Sequence, residues 1–144
     1  MSLQNVGKII ELFYSTKEGR FNPPSLTLDE KGVNKDKFYD KNVQRSVLIA
    51  SLDSYILAKE HGIDAPYSAL GENILIDYNP YHLTPGAQLQ IGSLVLEISQ
   101  NCTLCNSLAK VNSKLPKVLK NDRGIFARVI KEGVIKKGDI VSIK

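Results

Sequence analysis

The 144-residue chain is short of several things, and each shortage narrows what it can be. No apolar run approaches the roughly 18 residues that a membrane-spanning helix needs. The N-terminus, MSLQNVGKIIELFY, has no basic start, long apolar stretch or small-residue cleavage site, so no secretion signal is expected. Only two histidines are present, His61 and His82, and neither has a visible nucleophile partner, which argues against a Ser/His/Asp hydrolase. Neither phosphate-cradling pattern, GxxxxGK[ST] or GxGxxG, occurs. There is no internal repeat and no low-complexity segment. The Lys and Arg residues are scattered and interleave with few aromatics, so nucleic acid is not expected as a partner.

What is there describes an ordinary globular chain. Hydrophobic residues make up 42% and charged residues 24%, which suits one packed domain over residues 1–144 rather than a disordered segment. A chain of this length buries roughly two-thirds of its unfolded surface. The net charge is +4, and Lys110, Lys114, Lys117, Lys120, Arg123, Arg128, Lys131, Lys136, Lys137 and Lys144 all follow the two cysteines. These charges either form a solvated, solubilising surface or draw an anionic ligand towards the thiols.

Those thiols stand in Ile91–Cys105, IGSLVLEISQNCTLC. Leu94, Leu96 and Ile98 alternate with Val95, Glu97 and Ser99, the period-2 pattern of a half-buried strand. The strand delivers a polar loop, Gln100-Asn101-Cys102-Thr103-Leu104-Cys105, and a rigid strand is a good carrier for a reactive group. Two cysteines in a chain expected to be cytoplasmic argue for reactive or metal-binding thiols rather than a structural disulfide. A structural zinc needs about four ligands, and His61 and His82 lack ligand spacing. No βαβ pattern precedes the CxxC, as a thioredoxin-like site would require. The remaining readings are a buried thiol and a reactive thiolate favoured by neighbouring cations.

The rest of the chain reads as scaffold. Strands are expected at Val6–Tyr14, around Leu26 and Leu28, Val47–Ala50, Ile74–Ile76, Gln88–Ile91, Ile125–Ile130 and around Ile140–Ile143. Ser15–Asn22 reads as a turn, and Glu30–Asn42 as a long loop of the kind that is often functional. Ser51 or Asp53 can cap a helix that closes at His61-Gly62. Pro116 is expected to split Asn106–Lys120 into two short helical pieces. Gly92-Ser93 marks a hairpin. Many short strands, frequent glycine turns and a few short helices predict a mainly β protein, a closed or nearly closed β-barrel. Two further features could be plain structure or ligand contacts. Arg45 either pairs with a carboxylate such as Asp36 or holds a phosphate. Gly71-Glu72-Asn73 is either a capped turn or part of a pocket.

Four blocks in order resemble the MOSC domain, the family named for the C-terminal part of molybdenum cofactor sulfurase. They are VGKIIELFYSTKEGR, GVNKDKFYDKNVQRSVLI, LGENILID and PGAQLQIGSLVLEISQNCTLC, with GIFARVIKEGVIKKGDIVSI similar to the closing strands. The resemblance implies a MOSC-type barrel with a pocket for a molybdopterin-type cofactor. Its characteristic cysteine matches Cys105, which would carry sulfur as a persulfide or ligate molybdenum through its thiolate. Arg45 and some of the C-terminal lysines would suit the cofactor's phosphate. Asp36, Glu72 and Asn73, with Asn101, Cys102 and Arg128, complete the implied cofactor-binding set. Leu104 stands where the family commonly has Pro, and Phe38 where it often has His. The chain has no aminotransferase-like, pyridoxal-phosphate-dependent desulfurase part and no electron-transfer part. A separate sulfur-donating desulfurase or electron-transfer protein is therefore implied as partner. The activities implied are cofactor binding or sulfur carriage, and alternatively molybdenum-dependent reduction of N-hydroxylated compounds. A non-enzymatic module that has lost the cofactor is the third alternative.

Overall fold

A computed structural model describes residues 3–102 and 110–144. The chain opens with the longest strand, β1 (Gln4–Leu12), followed by a small hairpin of β2 (Tyr14–Thr16) and β3 (Gly19–Phe21). Two strands, β4 (Ser25–Asp29) and β5 (Gly32–Val33), lead to a 3₁₀ turn at Val43–Arg45. Then come β6 (Val47–Ser51), α1 (Leu52–Glu60), β7 (Ile74–Ile76), β8 (Gln88–Ile91) and β9 (Leu94–Asn101). A short α2 (Leu115–Val118), β10 (Ile125–Lys131), β11 (Gly133–Lys136) and β12 (Ile140–Ile143) complete the described elements.

Seven strands close into a barrel in the order β1-β12-β8-β9-β10-β6-β7, with β7 returning to β1. Closure depends on β1 being shared. Its first half pairs with β12 and its second half with β7, with register shifts at Asn5/Gly7 and Ile9/Glu11. Such bulges bend a strand and let it turn a barrel corner. The pairings are antiparallel except β6 with β7, which are parallel and joined across α1, as parallel neighbours require.

Burial follows the sequence pattern. In β9, Leu94, Leu96 and Ile98 point into the barrel core while Glu97 and Ser99 stay half-buried. In β6 all five positions are buried, because the strand is covered on both faces. Val47 and Ile49 join the barrel interior, whereas Ala50 meets α1 through a second cluster of Tyr55, Ala58, Leu70, Leu75, Leu115 and Leu119. The sheet β11-β4-β5 adds Leu26, Leu28, Val33 and Ile135 to the barrel core.

Two expectations need correction. Ser15–Asn22 is not only a turn: it forms most of the β2–β3 hairpin, stabilised by Tyr14 stacked on Phe21 at 5.1 Å. Glu30–Asn42 is not wholly a loop, since Gly32 and Val33 pair with β4. The two short helical pieces expected around Pro116 are separate: residues 110–111 are helical, 112–114 are not, and α2 begins at Leu115 with Pro116 in its first turn, where a missing N–H leaves no bond unmade. The expected helical piece before it falls largely on residues outside those described. The helix cap expected at Ser51 is present, its side chain accepting from the Asp53 N–H at 3.0 Å. His61 ends α1 with Nδ1 3.0 Å from the Leu57 carbonyl. Among the described residues, no helix is long and apolar enough to cross a membrane.

Gly133 is where the chain leaves β10 for β11 and crosses β9. A Cβ there would stand 2.8 Å from the Leu94 nitrogen and 3.1 Å from its Cα, so backbone would have to move. Gly133→Ala is expected to destabilise the fold by about 1–3 kcal/mol, the usual cost of overpacking. Urea unfolding should show a lower midpoint with an unchanged slope.

Candidate functional site

A cleft of about 730 Å³ opens beside the barrel, walled by the β2–β3 hairpin, the 36–46 segment, the 68–73 turn and the chain around Cys102 and Arg123. Leu48, which like Ala50 faces away from the barrel interior in β6, also lines it.

Asn73 ties these walls together. Its backbone N–H donates to the Leu48 carbonyl at 2.8 Å, and its Oδ1 accepts from the Leu48 N–H at 3.0 Å. Its Nδ2 donates to the Phe13 carbonyl at 3.2 Å and to Asp36 Oδ1 at 3.3 Å. Asp36 continues the bracket. Oδ1 also accepts from the Ser15 N–H at 2.8 Å, and Oδ2 from the Phe38 N–H at 3.0 Å. Both side chains are buried, and buried polar groups must find partners. Asp36 and Asn73 therefore shape the cleft as well as line it.

Glu72 stands behind the wall and is fully buried. Its Oε2 accepts from the Tyr55 hydroxyl at 2.5 Å and from the Ser68 N–H at 3.1 Å, while Oε1 has no hydrogen-bond partner. Burial pushes the Glu72 carboxyl above its ordinary range, against the Tyr55 hydrogen bond that would lower it. Burial, and then the proximity of Glu72, push the Tyr55 phenol up as well. Ser68, held by this carboxyl, has a left-handed backbone with φ 84°.

The cleft is strongly cationic. Among the described residues, Arg20, Lys37, Lys41, Arg45 and Arg123 line it, against a single carboxylate, Asp36. Arg45 does not pair with Asp36: its guanidinium lies over the Phe126 ring, 4.8 Å from the centroid. Arg123 donates through Nη1 to Cys102 Sγ at 2.6 Å, and both residues are buried.

The implied site residues thus divide. The structure brings Arg45, Asp36, Asn73 and Cys102 to one cleft, with Glu72 supporting its wall. Asn101 is exposed at the end of β9, next to Cys102. Arg128 is elsewhere: it ion-pairs with Glu97 across β9 and β10 at 3.1 Å and borders a separate hollow with Glu30 and Val43. Among the described C-terminal lysines none lines the cleft. Cys105 lies outside the described residues. Also among the described residues, no group of three or more His, Cys, Asp or Glu side chains is placed to hold a metal. Sequence reading missed Arg20, Ser15, Ser68, Lys37 and Lys41. Only the length of the 30–42 segment hinted at the last two.

Glu72 predicts a pH dependence. A carboxyl with a raised folded-state pKa contributes its full stability below the ordinary value of 4.5 and loses it as pH climbs through the raised value. Wild type should therefore lose stability relative to Glu72→Gln as pH rises from the ordinary value of 4.5 through the raised one. Paired denaturation curves across that range should converge or cross, and parallel curves would mean that Glu72 does not titrate there.

The comparisons with known proteins agree on the fold. YuaD of Bacillus subtilis superposes with a TM-score of 0.87 at 16% identity, covering 99% of this chain and 98% of that one. YiiM of Escherichia coli gives 0.71 at 18% identity, covering 95% and 69%. YiiM of Geobacillus stearothermophilus gives 0.68 at 16% identity, covering 99% and 75%. No curated protein matches the sequence. The MOSC domain family matches over residues 32–142, which takes in β5 through most of β12 and the greater part of the cleft wall. With a match over more than half its length, the chain belongs to the MOSC domain family.

Proposed function

We propose that the cleft binds a molybdopterin-type cofactor, or receives sulfur on its behalf. The carrying observation is the charge imbalance: five cationic side chains face one carboxylate, and that carboxylate already accepts three protein N–H groups. A cleft so built attracts an anion. The residues present fit a phosphate-bearing heterocycle. Arg45 and Arg123 offer fork-shaped donors, Phe126 and Leu48 offer apolar faces, and Cys102 offers sulfur.

When bound, such a cofactor supplies a redox-active molybdenum with sulfur ligands. This chain's own residues bind and orient it. Arg45, stacked on Phe126, is pre-positioned, so little side-chain freedom is lost on binding. Asp36 and Asn73 keep the walls at fixed separation. Cys105, three residues beyond Cys102, would carry the transferable sulfur or hold the metal through its thiolate, as the family resemblance implies.

Protein made in a host that synthesises the cofactor and purified without chelators should contain close to one molybdenum and one pterin per chain. A folded sample with neither, and with no persulfide on Cys105, would sink the proposal. Cys105→Ser should lose the persulfide or the molybdenum. Arg45→Ala should weaken cofactor binding roughly 10- to 100-fold, from the loss of a charged hydrogen bond of about 1.5–3 kcal/mol.

A further inference from the structure

Arg20 lies on β3, in an exposed hairpin of two three-residue strands. Its guanidinium nonetheless reaches into the cleft wall. Nε donates to Ser68 Oγ, Nη1 to Ser15 Oγ at 2.6 Å, and Nη2 to the backbone carbonyl of Glu72. All three acceptors are neutral. Among the described residues the ion pairs are Arg128–Glu97 and Lys137–Glu11, so no carboxylate makes a direct ion pair with Arg20. The surrounding protein lowers its pKa, with Glu72 and then Asp36 opposing from further away.

The two serines carry the inference further. A hydroxyl that accepts from arginine still has its own hydrogen to donate. Neither Ser15 nor Ser68 donates that hydrogen to a protein acceptor among the described residues, and Ser15 is buried. Both line the cleft beside Arg20. Ser68 is held in a left-handed backbone by the buried Glu72 carboxyl, a conformation that non-glycine residues adopt only when their surroundings impose it. The result is a fixed guanidinium flanked by two hydroxyl donors without acceptors, all facing one cavity.

We propose that Arg20, Ser15 and Ser68 form a subsite for a tetrahedral oxyanion, the phosphate end of the ligand, on the hairpin side of the cleft. The identity of that ligand rests on the cofactor reading above; the oxyanion chemistry does not. Arg45 and Phe126 then serve the ring-bearing part of the ligand. Glu72 is a positioning residue, acting through Ser68.

The test uses the full chain and three probes: inorganic phosphate, a pterin with a phosphomonoester side chain, and the same pterin without phosphate. Calorimetry should show inorganic phosphate binding to wild type, weakened at least about 10-fold in Arg20→Gln and less in Arg20→Lys, which keeps the charge but not the fork. The phosphorylated pterin should bind wild type more tightly than its dephosphorylated partner, and that advantage should vanish in Arg20→Gln. An unchanged advantage in the variant, or no phosphate binding by wild type, overturns the subsite. Phosphate binding that depends on Arg20, together with no binding of either pterin, keeps the subsite and removes the cofactor reading. Should Arg20→Gln fail to fold, Ser68→Ala reads the same advantage, which should fall without a change in thermal midpoint.

Discussion

The cleft depends on the side chain of Asn73. Three segments far apart in sequence meet there: the end of β1 through Phe13, the outward face of β6 through Leu48, and the 30–45 segment through Asp36. Every hydrogen-bonding group of the amide is used, in a buried position at the edge of the cleft. An unsatisfied amide in such surroundings costs roughly 1–3 kcal/mol. The bracket is therefore close to all-or-none, and losing one arm leaves the others without register. This is how a polar cavity can stand beside an apolar barrel without collapsing into it.

Glu72 and Asn73 are neighbours in the chain with opposite surroundings. Asn73 is fully satisfied and neutral, and it fixes the walls. Glu72 is buried, with one oxygen engaged by Tyr55 and Ser68 and the other lacking a partner. Burial resists its charge, so the carboxyl is held towards its protonated form. Among the described residues the cleft's cations face one carboxyl side chain, Asp36, whose oxygens already accept protein N–H groups. Positive potential is left over for a ligand because Asp36 is already engaged by protein N–H groups and Glu72 lies behind the wall, held by Tyr55 and Ser68.

Local pattern carried most of the architecture. Leu94, Leu96 and Ile98 announce a strand with one face inward, and the continuous apolar run Val47–Ala50 announces one covered on both faces. The Ser51 cap and the Gly92-Ser93 hairpin were equally legible, because each depends on residues within a few positions of one another. The β2–β3 hairpin was not, since its six strand residues have no alternation and depend on the Tyr14–Phe21 stack. Pro116 rightly marked two helical pieces, and the boundary decided that it begins the second: proline breaks a helix interior but begins a helix well.

The sequence by itself determined the mainly β character, the places of the strands, the family motifs and the thiol pair. All of these are written in short-range periodicity or in residue type. Tertiary structure alone decided which charges meet. Arg20 reaches Ser68 and Glu72 across 48 and 52 positions, Arg123 reaches Cys102 across 21, and Arg128, in the same basic third of the chain as Arg123, is turned instead towards Glu97. Barrel closure sets those meetings through the bulges of β1 and β10, and a one-residue change of register would turn each side chain to the opposite face. No local pattern encodes that register, because it is fixed by pairing between strands distant in the chain.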